Sequence, residues 1–247
     1  MKPDQSVIKL SVVIPAYNEE SRLPKTLRQS LEYLKAQPYR SEIIIVNDGS
    51  TDATERVVRE ASLDSVSLKL LNHPDRANHG KGASVRLGMI KACGEYRLFM
   101  DADNSTTLEQ VERFWPWFQN GYNMVIGSRA LRGSVIGTHQ SRLKEIAGRV
   151  GNWIIRTLAA PGVADTQAGF KMVTAEKAAI IFPRLTIDRW GYDIEMLVIA
   201  RNHGCRIAEV PITWINAEGS KVNMGSYFQV LGEVWTIRKN LKAGLYR

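Results

Sequence analysis

Lys9-Leu10-Ser11-Val12-Val13-Ile14 runs straight into Pro15-Ala16-Tyr17-Asn18-Glu19-Glu20, and Glu42-Ile43-Ile44-Ile45-Val46 runs as abruptly into Asn47-Asp48-Gly49-Ser50-Thr51-Asp52. Each is an apolar run of strand length stopped by a polar turn. Between them Leu23, Leu27, Leu31 and Leu34 recur at helical spacing, with Ser21 ahead of them as the expected N-cap. A helix that joins two such strands is a crossover, so the strands run parallel. Three more runs, at 67–71, 96–100 and 123–126, continue the alternation. The expected fold is α/β, with a mostly parallel central sheet covered by helices.

With 247 residues, 44% of them hydrophobic and 23% charged, the chain can bury one sizeable core, and one domain is the default. The net charge of +8 and the pI near 9.5 draw it toward something negative: nucleic acid, anionic lipid or phosphorylated small molecules. Two cysteines far apart, Cys93 and Cys205, suggest neither a disulfide framework nor a zinc site and suit a reducing cytosolic setting. The first residues form no apolar leader, and no stretch of about 20 apolar residues follows, so action on a membrane is expected from its inner, cytoplasmic surface or through a partner.

Beyond Gly127 the alternation weakens. Residues 141–158 read as a basic amphipathic helix before a turn at Pro161-Gly162, with no linker between the halves. The expected division is a main domain over 1–224 and a C-terminal basic helix over 225–247. There Phe228, Val230, Leu231, Val234, Trp235, Ile237, Leu241, Leu245 and Tyr246 mix with Arg238, Lys239, Lys242 and Arg247. That mixture suits a helix lying in a lipid interface, and equally a terminal helix packed on the domain.

In an open parallel sheet, ligands bind beyond the carboxyl ends of the strands. Three polar clusters sit there: residues 15–20, residues 47–52, and Asp101-Ala102-Asp103. Taken singly, Asn-Asp-Gly-Ser is ordinary turn chemistry. Asp101 and Asp103 are one residue apart, so on leaving an extended strand they can point the same way, with small Ala102 leaving room for a ligand. Two hard carboxylates invite Mg²⁺ or Mn²⁺, an ion that takes substrate phosphate oxygens as further ligands and suits a nucleotide diphosphate. The alternative is a pair of solvated loop acids.

The order of Val13-Ile14-Pro15-Ala16-Tyr17-Asn18-Glu19, Val46 to Asp52, Asp101-Ala102-Asp103 and Gly127-Ser128-Arg129 resembles family 2 glycosyltransferases. Four further motifs look most like the dolichyl-phosphate β-glucosyltransferases among them. These are Asn78-His79-Gly80-Lys81-Gly82, Asp165-Thr166-Gln167-Ala168-Gly169-Phe170-Lys171, Arg189-Trp190-Gly191-Tyr192-Asp193 and Glu218-Gly219-Ser220-Lys221. The resemblance spans roughly residues 9 to 221, and eight short motifs in order make it specific.

That resemblance implies a GT-A fold and an inverting transfer of a hexose, glucose from UDP-glucose foremost, to a polyprenyl phosphate. It implies that Pro15, Tyr17 and Glu19 hold the nucleoside, that Asp48 contacts base or ribose, and that Asp101, Ala102 and Asp103 line the metal and diphosphate site. Gln167 joins the donor-binding residues. Lys81 either reaches the donor or is a surface lysine at a helix start. Arg129 and Arg142 match residues beside the transferred sugar and the acceptor phosphate, where a guanidinium fork can bind two oxygens. Arg142 also sits among Arg132, Lys144 and Arg149, which alone would make a basic face. Ser220 and Lys221 match the end of a loop that closes on the diphosphate.

Dolichyl-phosphate mannose synthases carry an arginine six residues before that lysine. Here the position is Ile215, which favours the glucosyl branch over GDP-mannose. Asp193 matches the region of a general base in members with hydroxyl acceptors, and also reads as a helix N-terminal acid. A phosphate acceptor, with a second pKa of about 6, needs little such help. A saccharide-hydroxyl acceptor would make Asp193 indispensable. Nucleic-acid binding would explain the pI but not Asp48, Asp101 and Asp103, and a silent nucleotide-binding scaffold would lack transfer altogether.

Overall fold

The computed structural model describes residues 7–61, 66–137, 162–215 and 224–247. Seven strands form the central sheet: β1 (Leu10–Ala16), β2 (Ser41–Asn47), β3 (Ser67–Asn72), β4 (Tyr96–Met100), β5 (Met124–Ser128), β7 (Phe170–Thr174) and β8 (Ile207–Pro211), in the order β3-β2-β1-β4-β7-β5-β8. The five expected strands are all present, 96–100 with both ends as expected and the others with ends shifted by at most two residues. Strands β1 to β4 are parallel, with Val13 opposite Ile44 and Phe99. β7 runs antiparallel between β4 and β5, and β8 returns parallel to β5. A separate ribbon pairs β6 (Val135–Ile136) with β9 (Thr213–Trp214).

Strand periodicity divides the core into two layers. Val12, Ile14, Ile43 and Ile45 face the side covered by α1 (Leu23–Lys35), α2 (Thr54–Glu60) and α4 (Trp115–Gln119). Val13, Ile44 and Val46 face the other, under α3 (Lys81–Lys91), α5 (Ala175–Ile181), α6 (Tyr192–Asn202) and α7 (Met224–Lys242). Burial on both faces explains why β1 and β2 read as continuous apolar runs.

Leu23, Leu27, Leu31 and Leu34 are the buried stripe of α1, as their spacing predicts. The expected Ser21 cap is corrected: the helix begins after Arg22 without a side-chain cap, and the Glu19 carbonyl accepts the N–H groups of Arg22 and Leu23 instead. Pro24 in the first turn needs no donor partner. The helix expected over 141–158 lies outside the described residues.

Helix α7 buries Val230, Val234 and Ile237, and Tyr246 beyond it, in the second layer, and leaves Trp235 71% exposed. Among the described residues no helix is long and apolar enough to cross a membrane.

Candidate active site

The polar clusters meet at the carboxyl edge of the sheet because β1 runs parallel between β2 and β4 and all three strands end on that side. After β1, Pro15 is half-buried, Tyr17 is exposed and Asn18 takes a left-handed turn at φ 52°. Glu19 is buried, and its carboxylate receives the Arg22 guanidinium at 2.6 and 2.7 Å. Its N–H donates to Thr54 Oγ1, and Asn18 N–H donates to Ser50 Oγ, so the ends of β1 and β2 are stitched together.

Asp48, 4% exposed, has both oxygens engaged by the chain before α3. Oδ1 accepts the His79 N–H at 2.8 Å, and Oδ2 accepts the Gly80 N–H at 2.9 Å and Asn78 Nδ2 at 3.1 Å. The carboxylate thus shapes the turn at residues 78–80. Gly80 there has φ 101°, and a Cβ on it would press on the Asp188 carbonyl. The resemblance implies a contact of Asp48 with base or ribose, and no local pattern points to this grip, because the 78–80 segment is remote in the chain.

At the end of β4, Asp101 and Asp103 flank buried Ala102, whose carbonyl accepts from Thr26 Oγ1. Asp103 Oδ1 accepts the Ser105 N–H at 2.9 Å. Asp101 Oδ1 accepts from Lys81 Nζ at 2.5 Å, and its other side abuts Gly169, where any Cβ would run into the carboxylate. Lys81 therefore points inward from the start of α3, and the surface-lysine alternative is set aside. Burial works to lower its pKa, but Asp101, Asp193 and Asp103 outweigh that and raise it.

Asp101 and Asp103 fit a hard divalent ion of the Mg²⁺ or Mn²⁺ kind. Among the described residues no cluster of three acids, histidines or cysteines forms a cage, and these two carboxylates are what the edge could offer such an ion beside a substrate's own oxygens. That is the usual provision for an ion bound jointly with phosphates.

Two further ion pairs complete the edge. Arg129, following β5, donates from Nε and Nη2 to Asp165 at 2.7 and 2.8 Å, donates from Nη2 to the Gln167 carbonyl, and lies 5.6 Å over the Trp214 ring. Asp165 is buried. Burial would raise its pKa, but the Arg129 charge and hydrogen bonds prevail and hold it below the ordinary value. Glu209 of β8 anchors this loop by accepting the Ala164 and Asp165 N–H groups.

Asp193, in the first turn of α6, is buried and accepts from Lys171 Nζ at 2.5 Å, while Lys171 also donates to the Ala168 carbonyl. Burial pushes the Asp193 carboxyl up and the Lys171 ammonium down, each pulled back by its partner. Lys171 and Asp165 lie within a motif whose resemblance implies no role for either. A lone lysine between Phe170 and Met172 in an apolar strand was a usable signal, since a buried cation needs an acid. Trp214 carried no such signal. Arg142, Ser220 and Lys221 lie outside the described residues.

Residues 11–179, more than half of the chain, match the family described as Glycosyl transferase family 2. A dolichyl-phosphate beta-glucosyltransferase of Trichomonas vaginalis is 33% identical over 95% of this chain and 78% of its own length. The enzymes of that name from Dictyostelium discoideum and Homo sapiens are 35% and 34% identical, over 97% and 99% of this chain and 77% and 79% of theirs. In fold, the chain is similar to glucosyl-3-phosphoglycerate synthase from Mycobacterium tuberculosis, crystallised with Mn²⁺, UDP-glucose and phosphoglyceric acid. The TM-score is 0.65 at 18% identity, covering 94% of this chain and 80% of that one. A sheet with one reversed strand, its motifs gathered at one edge, and a third of its residues shared with relatives over at least 95% of this chain have one common explanation: the chain is a glycosyltransferase belonging to family 2.

Proposed function

We propose that this protein transfers glucose from UDP-glucose to a dolichyl or other polyprenyl phosphate, with inversion, to give a β-linked lipid-phosphate sugar. The observation that carries the acceptor assignment is the Lys171–Asp193 pair. The acid that a hydroxyl acceptor would need as a free base is buried and tied to an ammonium at 2.5 Å. A phosphate acceptor, largely ionised at neutral pH, needs no such base. The names of the relatives that match nearly all of this chain support the same reading.

On this reading Asp101 and Asp103 hold Mg²⁺ or Mn²⁺ together with the donor diphosphate, and the ion supplies charge neutralisation for the leaving group. Tyr17 offers the base a stacking face, with Pro15 and Glu19 beside it. Asp48 holds the turn over the nucleoside, and Gln167 lies toward the donor. Arg129, braced by Asp165 and Trp214, offers a guanidinium edge to the sugar or the acceptor phosphate, with Arg142 as its partner. Ser220 and Lys221 close on the diphosphate. The protein's contribution is then positioning and leaving-group stabilisation. The basic outer face of α7 fits an anionic membrane surface on the cytoplasmic side.

The test is a screen of nucleotide sugars against short polyprenyl phosphates with Mn²⁺ or Mg²⁺, with products weighed by mass spectrometry. UDP-glucose with polyprenyl phosphate is the expected pair, and Asp193→Asn should retain measurable transfer whose pH profile follows acceptor ionisation. Transfer to free sugars that disappears in Asp193→Asn would replace this reading by a saccharide-forming one.

A further inference from the structure

Lys81 stands at the first position of α3, where the helix's own dipole disfavours a cation. It is nonetheless built in with care. Gly80 turns at φ 101°, its N–H is held by Asp48, and its carbonyl accepts the Ser84 N–H, which together fix the helix start. From there the lysine crosses to β4 and reaches Asp101 Oδ1 at 2.5 Å. Both side chains remain partly open, Lys81 25% and Asp101 34% exposed, so the pair lies at the rim of the site rather than beneath it. This distinguishes it from Lys171–Asp193, which is sealed inside the molecule at 1% and 6%.

Gly169 backs the Asp101 carboxylate so closely that no side chain fits between, which leaves the ammonium on the open side. An open ion pair at a carboxylate that a divalent ion would need is an exchangeable contact. The ammonium and the ion compete for one oxygen, and both are drawn to a diphosphate.

We propose that Lys81 is a resident counter-ion for Asp101 which keeps the free protein from retaining a divalent ion and transfers its contact to the donor's diphosphate, so that metal capture is coupled to nucleotide capture. The proposal rests on the reading that Asp101 and Asp103 receive a metal-bound diphosphate. It adds that the coupling between the two ligands resides in one side chain. Because coupling is reciprocal, the same lysine must strengthen nucleotide binding in the presence of the ion.

The experiment is a Mn²⁺ titration followed by electron paramagnetic resonance, with and without UDP, on the full chain and on Lys81→Gln and Lys81→Arg. In the native protein, Mn²⁺ should bind weakly alone and at least about tenfold more tightly with UDP. Lys81→Gln should bind Mn²⁺ alone about tenfold more tightly than the native protein and lose most of the UDP dependence. Lys81→Arg, which keeps the charge, should behave like the native protein without UDP, and an unchanged thermal melting midpoint in either variant reports an intact fold. Unchanged or weaker Mn²⁺ binding by Lys81→Gln alone, with UDP coupling intact, would overturn the counter-ion role and leave the metal site standing. No Mn²⁺ binding by any form, with or without UDP, would remove the metal site and this proposal with it.

Discussion

Asp103 accepts the Ser105 N–H at 2.9 Å and is otherwise a half-buried carboxylate at the edge of the sheet, so it has little to do for the fold and much for a ligand. Asp103→Ala should cost only about 0.5–1.5 kcal/mol of stability, one hydrogen bond, yet reduce transfer by about 100-fold or more. Thermal melting and the transfer assay check the two halves, and full activity in strong chelator would contradict the second. Asp48 is the opposite case, because its oxygens hold three donors of the 78–80 turn. Asp48→Ala leaves the half-buried His79 N–H and the buried Gly80 N–H without their acceptor, a cost of about 1–3 kcal/mol, while Asn78 keeps the Asp48 carbonyl. The expected outcome is faster amide exchange at His79 and Gly80 together with weaker UDP binding in calorimetry. Loss of UDP affinity with unchanged exchange would mean that Asp48 touches the nucleoside directly.

Helix α7 presents two faces with different duties. Val230, Val234 and Ile237 enter the core, and Glu233 accepts the Gly191 N–H at 2.6 Å, two residues before Asp193. Tyr246 donates to buried Glu195, which also accepts from the Thr186 and Ile187 N–H groups. The C-terminal element therefore braces α6 and, through it, Asp193. On the outer side Trp235, Arg238, Lys239 and Lys242 follow i, i+3, i+4, i+7 spacing and are exposed, a basic stripe with one aromatic anchor. Ile237→Ala should cost about 2–5 kcal/mol in denaturant unfolding. Trp235→Ala should leave stability within about 0.5 kcal/mol while weakening sedimentation with anionic vesicles. Equal vesicle binding by the native protein and Trp235→Ala would take lipid contact away from this face.

For the molecule as a whole, three cation–acid pairs at one edge, Lys81–Asp101, Arg129–Asp165 and Lys171–Asp193, sit within a chain of net charge +8. Their contribution to stability depends on pH with a definite sign. Asp165 is held below its ordinary value of 3.8, so the folded state binds its proton less readily than the unfolded one. Its stabilisation is complete above pH 3.8 and is lost as pH falls through the lower folded value. Asp165→Asn should therefore lower stability at neutral pH and flatten the decline in acid. Urea unfolding from pH 7 down to pH 2 would register both effects, and an unchanged acid slope would assign that decline to other carboxylates.

Local chemistry in the chain determined the early strands, the crossover helix and the polar motifs that end them, because apolar runs of strand length and leucines at helical spacing act over a few residues. It also marks Asp101 and Asp103 as candidates, since they stand one residue apart after a strand, whereas Arg129 is one only through the resemblance of its contiguous motif to the family's. Tertiary structure alone decided that β7 enters the sheet reversed between β4 and β5, which brings Lys171 under Asp193 and lays Gly169 against Asp101. It alone decided that Asp48 serves a turn 30 residues away, that Lys81 points inward, and that Arg129 is shared between Asp165 and Trp214. The reason is that a charge in a low-dielectric interior must find an opposite charge or a polar partner. Which partner it finds depends on how distant segments cross, and no short-range pattern encodes that.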